Sequence, residues 1–162
     1  MDQVDKVIEQ WREVRPDLDT STMGPIGRLT RAMKFMQAAA EQTFAAYNLN
    51  MAGFDVLSAL RRSGSPYALS PGDLLASMMI TSGTMTNRID QLEKAGLVKR
   101  ENDPNDARKA IVRLTPEGLQ RIEGAIVEHI DTQRELLLSG LTEKEVTQLD
   151  KLLRKLTRSL NA

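Results

Sequence analysis

The 162-residue chain has no cysteine and a single histidine, His129. The first absence removes disulfides, thiolate metal sites and cysteine nucleophiles together. The second leaves catalytic triads, histidine-ligated zinc and imidazole acid–base pairs with almost nothing to work with. Aromatic residues make up only 4% of the chain, and Trp11 is the sole tryptophan. No uninterrupted apolar run approaches the roughly 20 residues of a membrane-spanning helix. The opening Met1-Asp2-Gln3-Val4-Asp5-Lys6 is charged and lacks the apolar core of a signal peptide. A cytoplasmic, non-enzymatic protein with no metal, no cofactor and no membrane partner is the expectation. Charge of one sign is not in excess either, because 22 basic residues balance 22 acidic ones.

The balance is uneven along the chain. Residues 61–115 hold nine basic and six acidic side chains, a net +3 that the rest of the chain cancels. Local positive potential is the first footprint of a phosphate-binding surface, though a weak one alone. A single domain of this length buries roughly two-thirds of its unfolded surface, so it needs no staple.

Most of the sequence has helical periodicity. Val4, Val7, Ile8, Trp11 and Val14 fall at steps of three and four, and Pro16 stops that helix. A long helix follows from about Met23 to Tyr47, and another from Met51 to Arg62. Ser63-Gly64-Ser65-Pro66 is loop chemistry. Ser70-Pro71-Gly72-Asp73 starts a short helix ending near Met79. Thr81 or Ser82 can cap the next helix, which runs to about Lys94 and closes at Gly96. Residues 97–101 read as a strand, 102–106 as a turn and 109–114 as a returning strand. Thr115-Pro116 opens a helix to about Leu138, and Thr142-Glu143-Lys144-Glu145 is a capping box for the last, ending near Leu160.

Helix, short helix, helix and hairpin in that order make a winged helix-turn-helix, whose third helix enters a DNA major groove. The expected fold class is therefore mainly α with a small β-hairpin wing. In this reading 1–162 is a single chain, with the DNA-binding region at 51–115. The long flanking helices, 1–47 and 116–162, have more apolar surface than one three-helix unit can cover. Pairing with a second copy is the economical way to bury it, and a two-fold homodimer would present two recognition helices.

The run from Thr86 to Arg100, TNRIDQLEKAGLVKR, resembles the recognition helix and first wing strand of MarR-family regulators. Asp106-Ala107-Arg108 and Leu114-Thr115-Pro116-Glu117-Gly118 are similar to that family's D-x-R wing and L-T-x-x-G junction. A narrower likeness is to the urate-responsive PecS/HucR-type subgroup, through Trp11 to Asp19 on an extra N-terminal helix and the stretch Met23 to Leu29. That subgroup carries a tryptophan, an aspartate and two arginines, matched here by Trp11, Asp55, Arg88 and Arg100. Ordinary members of the family tend to have an apolar residue where Arg88 stands. The resemblance implies a DNA-binding repressor released from a pseudo-palindromic operator by a small-molecule effector, urate or a similar anion.

Physical chemistry marks the same positions. Met85, Arg88 and Leu92 fall at i, i+3 and i+7, which puts a guanidinium on or beside an apolar stripe. Asp55 sits between Phe54 and Val56. A buried unpaired charge is costly, so each needs a partner. Either the two form a structural ion pair or reach solvent, or Arg88 anchors an anionic ligand that Asp55 must accommodate. A guanidinium binds planar oxyanions bidentately, and an aromatic carboxylate or phenolic effector would satisfy it as urate would. The Trp11 indole and the Arg100 guanidinium join this ligand site only as the resemblance implies. Ser82, Thr84, Thr86 and Asn87 lie opposite Met85 and Leu92, where short polar side chains reach phosphates or base edges. Asn87 departs from the arginine common in the family. Arg108, at the hairpin tip, can enter a narrow minor groove, with Asp106 holding it in place. A helical ligand-binding protein with a vestigial wing is the competing class; His129 reads as a surface or packing residue.

Overall fold

The computed structural model describes residues 1–78, 85–103 and 106–160, with backbone alone for 106–109. The elements in chain order are α1 (Gln3–Val14), α2 (Met23–Ala46), α3 (Met51–Arg62), β1 (Ala68–Leu69), α4 (Pro71–Ser77), α5 (Met85–Lys94), β2 (Val98–Asp103), β3 (Asp106–Leu114), α6 (Pro116–Leu138) and α7 (Glu143–Leu160). They group into two compact units, Met1–Ala39 and Ala40–Ala162.

In the first unit, Asp2 caps α1 and exchanges hydrogen bonds with Asp5 in a capping box. Arg28 of α2 then clasps both carboxylates, donating to Asp2 at 2.9 Å and also to Asp5. Val4 and Ile8 are the buried residues of α1. Val7, Trp11 and Val14 of the same apolar face remain exposed, as do Ile26, Met33 and Phe35 of α2.

The second unit holds the main core. Phe44, Val56, Leu57, Leu60, Leu74, Leu97, Val98, Val112 and Ile122 are almost completely buried, and Phe44 stacks on Phe54 with ring centroids 4.0 Å apart. Three helices of the unit begin at the caps their residues favour. The Asn50 side chain accepts from the Gly53 amide at 2.8 Å, Ser70 from Asp73 at 3.1 Å and Thr115 from Gly118 at 3.0 Å. Each satisfies an amide that the helix leaves open.

The sheet has three antiparallel strands in the order β1-β3-β2, one more than the expected hairpin. The added strand is short, pairing Ala68 with Arg113 and Leu69 with Val112. Its anchors come from elsewhere in the chain: Arg113 donates to the Pro66 carbonyl at 3.0 Å, and the Leu114 amide to that of Tyr67 at 3.1 Å. The returning strand also begins earlier than its alternation suggested, at Asp106 rather than 109, and α4 ends at Ser77 rather than Met79.

The junction between wing and α6 is the tightest backbone approach. Gly96 turns the chain with φ of +74° after α5. Thr115 then donates its hydroxyl to the Gly96 carbonyl at 2.7 Å and its amide to that of Leu97 at 3.1 Å. A Cβ on Gly118 would fall 1.9 Å from the Leu97 oxygen, which backbone cannot vacate cheaply. Gly118→Ala is expected to lower the melting temperature by roughly 3–10 °C, the range for forced overpacking in a chain of this size. Gly140→Ala, where nothing lies within 4 Å of the added carbon, should leave it unchanged. Equal melting of the two variants would refute this picture of the junction.

Candidate functional site: an unpaired guanidinium behind the recognition helix

The helix α5 is amphipathic. Ile89 and Leu92 are buried while Thr86, Asn87 and Gln91 face outward. Arg88 stands between these faces, and its Nη1 is buried without a hydrogen-bond partner. Ser82 and Thr84 lie outside the described residues. Asp106 and Arg108 are described as backbone positions of β3 at the hairpin end, where Asp103 pairs with Asp106.

Asp55, on α3, is half-buried. Burial pushes its carboxyl above the usual aspartate value, opposed by the nearby charges of Arg88, Arg62 and His129 in decreasing order. Among the described residues, Asp55 and Arg88 close no ion pair or hydrogen bond with each other or with anything else. The mutual salt bridge that the sequence left open is therefore not formed. The two groups feel one another across a gap.

Beside Arg88 lies a cavity of about 180 Å³ whose walls include Asn48, Asn50, Ala52, Gln91 and Leu92. A cavity of roughly 150 Å³ holds a benzene-sized ring, so this one has room for a small ring system, and Arg88 forms part of its wall.

Arg100 is placed differently. From β2 it reaches back to α5 and binds both Asp90 and Glu93, while its own amide donates to Glu93 Oε1 at 3.0 Å. It is thus a paired strut between wing and recognition helix. Arg62, one turn beyond Ser58, donates to the Ser77 carbonyl at 3.1 Å and so ties the end of α3 to the end of α4. Trp11 lies on α1 in the first unit, 40% exposed.

Sequence reasoning did not single out two further buried polar groups of this unit. His129 is a packing residue, its ring 4.9 Å from Phe44 and 5.1 Å from Phe54, but its Nδ1 is buried and unpartnered. Burial lowers its pKa, partly offset by Asp55. Ser58, also buried, has an unpartnered Oγ. Its spacing of three from Asp55 was the signal available.

Three helices, a wing and an outward polar face on α5 define a winged helix-turn-helix DNA-binding protein. A model of the MarR family matches residues 49–110. The HTH-type transcriptional regulator PecS of Dickeya dadantii is 38% identical over 98% of this chain and 95% of its own. A mutant MarR of E. coli, solved in complex with operator DNA, superposes with a TM-score of 0.70 at 26% identity, covering 90% of this chain and 96% of that one. Bordetella bronchiseptica BpsR, solved to explain regulation of its DNA binding by 6-hydroxynicotinic acid, gives 0.64 at 32% identity over 81% and 91%. The chain belongs to the MarR family of DNA-binding transcriptional regulators and is not an enzyme.

The burial of Asp55 has a measurable consequence. Because its folded-state pKa is raised above the ordinary 3.8, the neutral carboxyl stabilises the fold relative to the carboxylate. That contribution is complete below the unfolded value and is lost as pH rises through the folded one. Asp55→Asn, neutral throughout, is expected to melt above the parent protein at neutral pH, with the gap closing as pH falls below 3.8. A lower melting temperature at neutral pH would mean that the carboxylate is held by Arg88 after all.

Proposed function

We propose that this regulator is a homodimeric repressor, released from a pseudo-palindromic operator by a small anionic aromatic ligand, urate or a related purine, bound at Arg88 and Asp55. The observation that carries the ligand site is the buried Nη1 of Arg88 with no acceptor. A planar anion supplies the missing oxygen and charge. Asp55 accommodates it, its carboxyl already pushed by burial toward the neutral form. Trp11 enters this proposal through the subgroup resemblance alone, an indole having a ring face and an N–H to offer.

The exposed polar face of α5 supports Thr86 and Asn87 as DNA contacts. Ser82, Thr84, Asp106 and Arg108 are proposed for the same interface from their residue types and positions. Apolar side chains without cover support a second copy: Ile26 and Met33 on α2, and Leu152, Leu156 and Leu160 on α7. The proposed switch acts through α5, which carries Arg88 behind and the DNA contacts in front, with Arg100 tying it to the wing. An effector shifts such an equilibrium only by binding its two states unequally, and coupling of about 1–3 kcal/mol is ordinary. The likeness to BpsR favours a second reading, in which an aromatic carboxylate takes the place of urate at the same arginine.

Labelled DNA from the gene's upstream region, titrated with protein and then with urate, tests both halves by fluorescence anisotropy. Binding should weaken steeply with salt as counterions are released. Arg108→Ala should weaken it further, and urate should release the wild-type protein. Arg88→Ala should fold and bind DNA yet ignore urate. An unchanged urate response in that variant would remove Arg88 from the site, and release by 6-hydroxynicotinic acid alone would select the second reading.

A further inference from the structure

Asn48, Asn50, Gln91 and Arg88 meet around the cavity of about 180 Å³ between the start of α3 and α5. Leu49, Leu92 and Leu97, all buried, give it apolar walls. Ala52, Gly53 and Ala95 add small residues that leave it room. An apolar hollow with a few convergent polar groups is the usual form of a small-molecule site. Apart from the arginine, the polar side chains are of one kind: three carboxamides, two from the turn before α3 and one from α5. Neither the DNA face nor the anion site proposed above uses them.

Local structure engages these carboxamides only in part. Asn48 follows α2 with φ of +51°, a left-handed position that glycine or asparagine takes most readily. The Leu49 amide closes that turn on the Phe44 carbonyl at 2.9 Å. Asn50 caps α3, its Oδ1 accepting from the Gly53 amide at 2.8 Å, which leaves its Nδ2 as a donor. Gln91, exposed on α5 three residues after Arg88, has no capping or turn duty. Among the described residues, the Gly53 amide is the one protein partner of the three carboxamides.

A carboxamide sets a donor beside an acceptor. It pairs in two parallel bonds with a group that does the reverse, as Asn and Gln do with the edge of adenine. A lactam, N–H next to C=O in a planar ring, is such a group, whereas a carboxylate is acceptor only and suits the guanidinium. Building on the ligand site proposed above, we propose that Asn48, Asn50 and Gln91 are ligand-binding residues that read a lactam edge on the anion held by Arg88. Asn48 and Gln91 have donor and acceptor to offer, and Asn50 adds its Nδ2. The effector is then a planar heterocyclic anion of lactam type rather than a plain arenecarboxylate. Urate carries lactam groups on both rings. In its pyridone form 6-hydroxynicotinate carries one across the ring from its carboxylate, and benzoate carries none.

The test uses the full chain as wild type, Asn48→Gly, Asn50→Ser, Gln91→Met and Arg88→Ala. Each is titrated calorimetrically with urate, 6-hydroxynicotinate and benzoate, alongside thermal melts without ligand. The carboxamide replacements keep the local roles: glycine holds a left-handed turn, serine caps as asparagine does, and methionine matches glutamine as a helix former. Ligand-free melting temperatures should therefore stay within about 2 °C of the parent's. The wild type should bind at least one of the two lactam anions more tightly than benzoate. Each carboxamide variant should bind that anion about tenfold more weakly, the loss of one well-made hydrogen bond, with benzoate binding unchanged. Unchanged lactam affinity in all three variants, while Arg88→Ala loses it, would overturn this inference and leave the arginine site standing. The reverse pattern, lactam binding weakened in the carboxamide variants and unmoved in Arg88→Ala, would support the lactam subsite and remove the arginine from it. Wild-type protein that binds benzoate as tightly as both lactam anions would overturn the inference. Binding of none of the three would overturn it together with the effector reading on which it rests.

Discussion

A guanidinium on the inward side of a short amphipathic helix sets the terms for the rest of the second unit. The apolar neighbours of Arg88, Ile89 and Leu92, are buried, so α5 can neither roll outward to solvate the charge nor give up its core. A buried donor left without an acceptor typically costs about 1–3 kcal/mol. With total stabilities of about 5–15 kcal/mol, that is a large fraction to leave uncompensated. It is tolerable because the surrounding frame is over-determined: α5 is held below by its buried Ile89 and Leu92, beside the wing by Arg100, and at its end by the Gly96 turn.

The same frame makes the arginine useful. Arg100 binds Asp90 and Glu93 on α5 while standing on β2, so helix and wing are joined by charge-assisted contacts. Arg62 joins the ends of α3 and α4 in a similar way. Asp55 and Arg88 sit between these struts without bonding each other. A rigid surround with one buried donor, Arg88 Nη1, left without a partner among the described residues is the arrangement the proposed ligand would use to redirect a helix, since small shifts in packed elements resolve into discrete alternatives rather than smooth deformation.

Much of this was legible in the residues. Helix starts carried readable caps at Ser70, Thr115 and Thr142, and the wing followed from alternation and turn chemistry. The strand at Ala68–Leu69 was not legible, because two residues carry no period and its partners, Val112 and Arg113, lie more than forty residues away. Arg88 and Asp55 stood out as charges beside apolar stripes, but whether they paired was a question of distance that periodicity does not answer. Ser58 and His129 escaped for a related reason. A serine within a helix and a histidine beside apolar residues look ordinary until their acceptors are sought and none is found among the described residues.

The claim at the centre is that Arg88 Nη1 finds no partner among the described residues because an anion is meant to pair it. Thermal unfolding of wild type and Arg88→Met, each with and without saturating urate, puts this to the test most directly. Methionine keeps the apolar stem and removes the charge. The account predicts that the variant melts higher than wild type when free, and that urate raises the melting temperature of the wild type alone, as a ligand bound only to the native state must. A variant that melts lower when free and still gains stability from urate would contradict it.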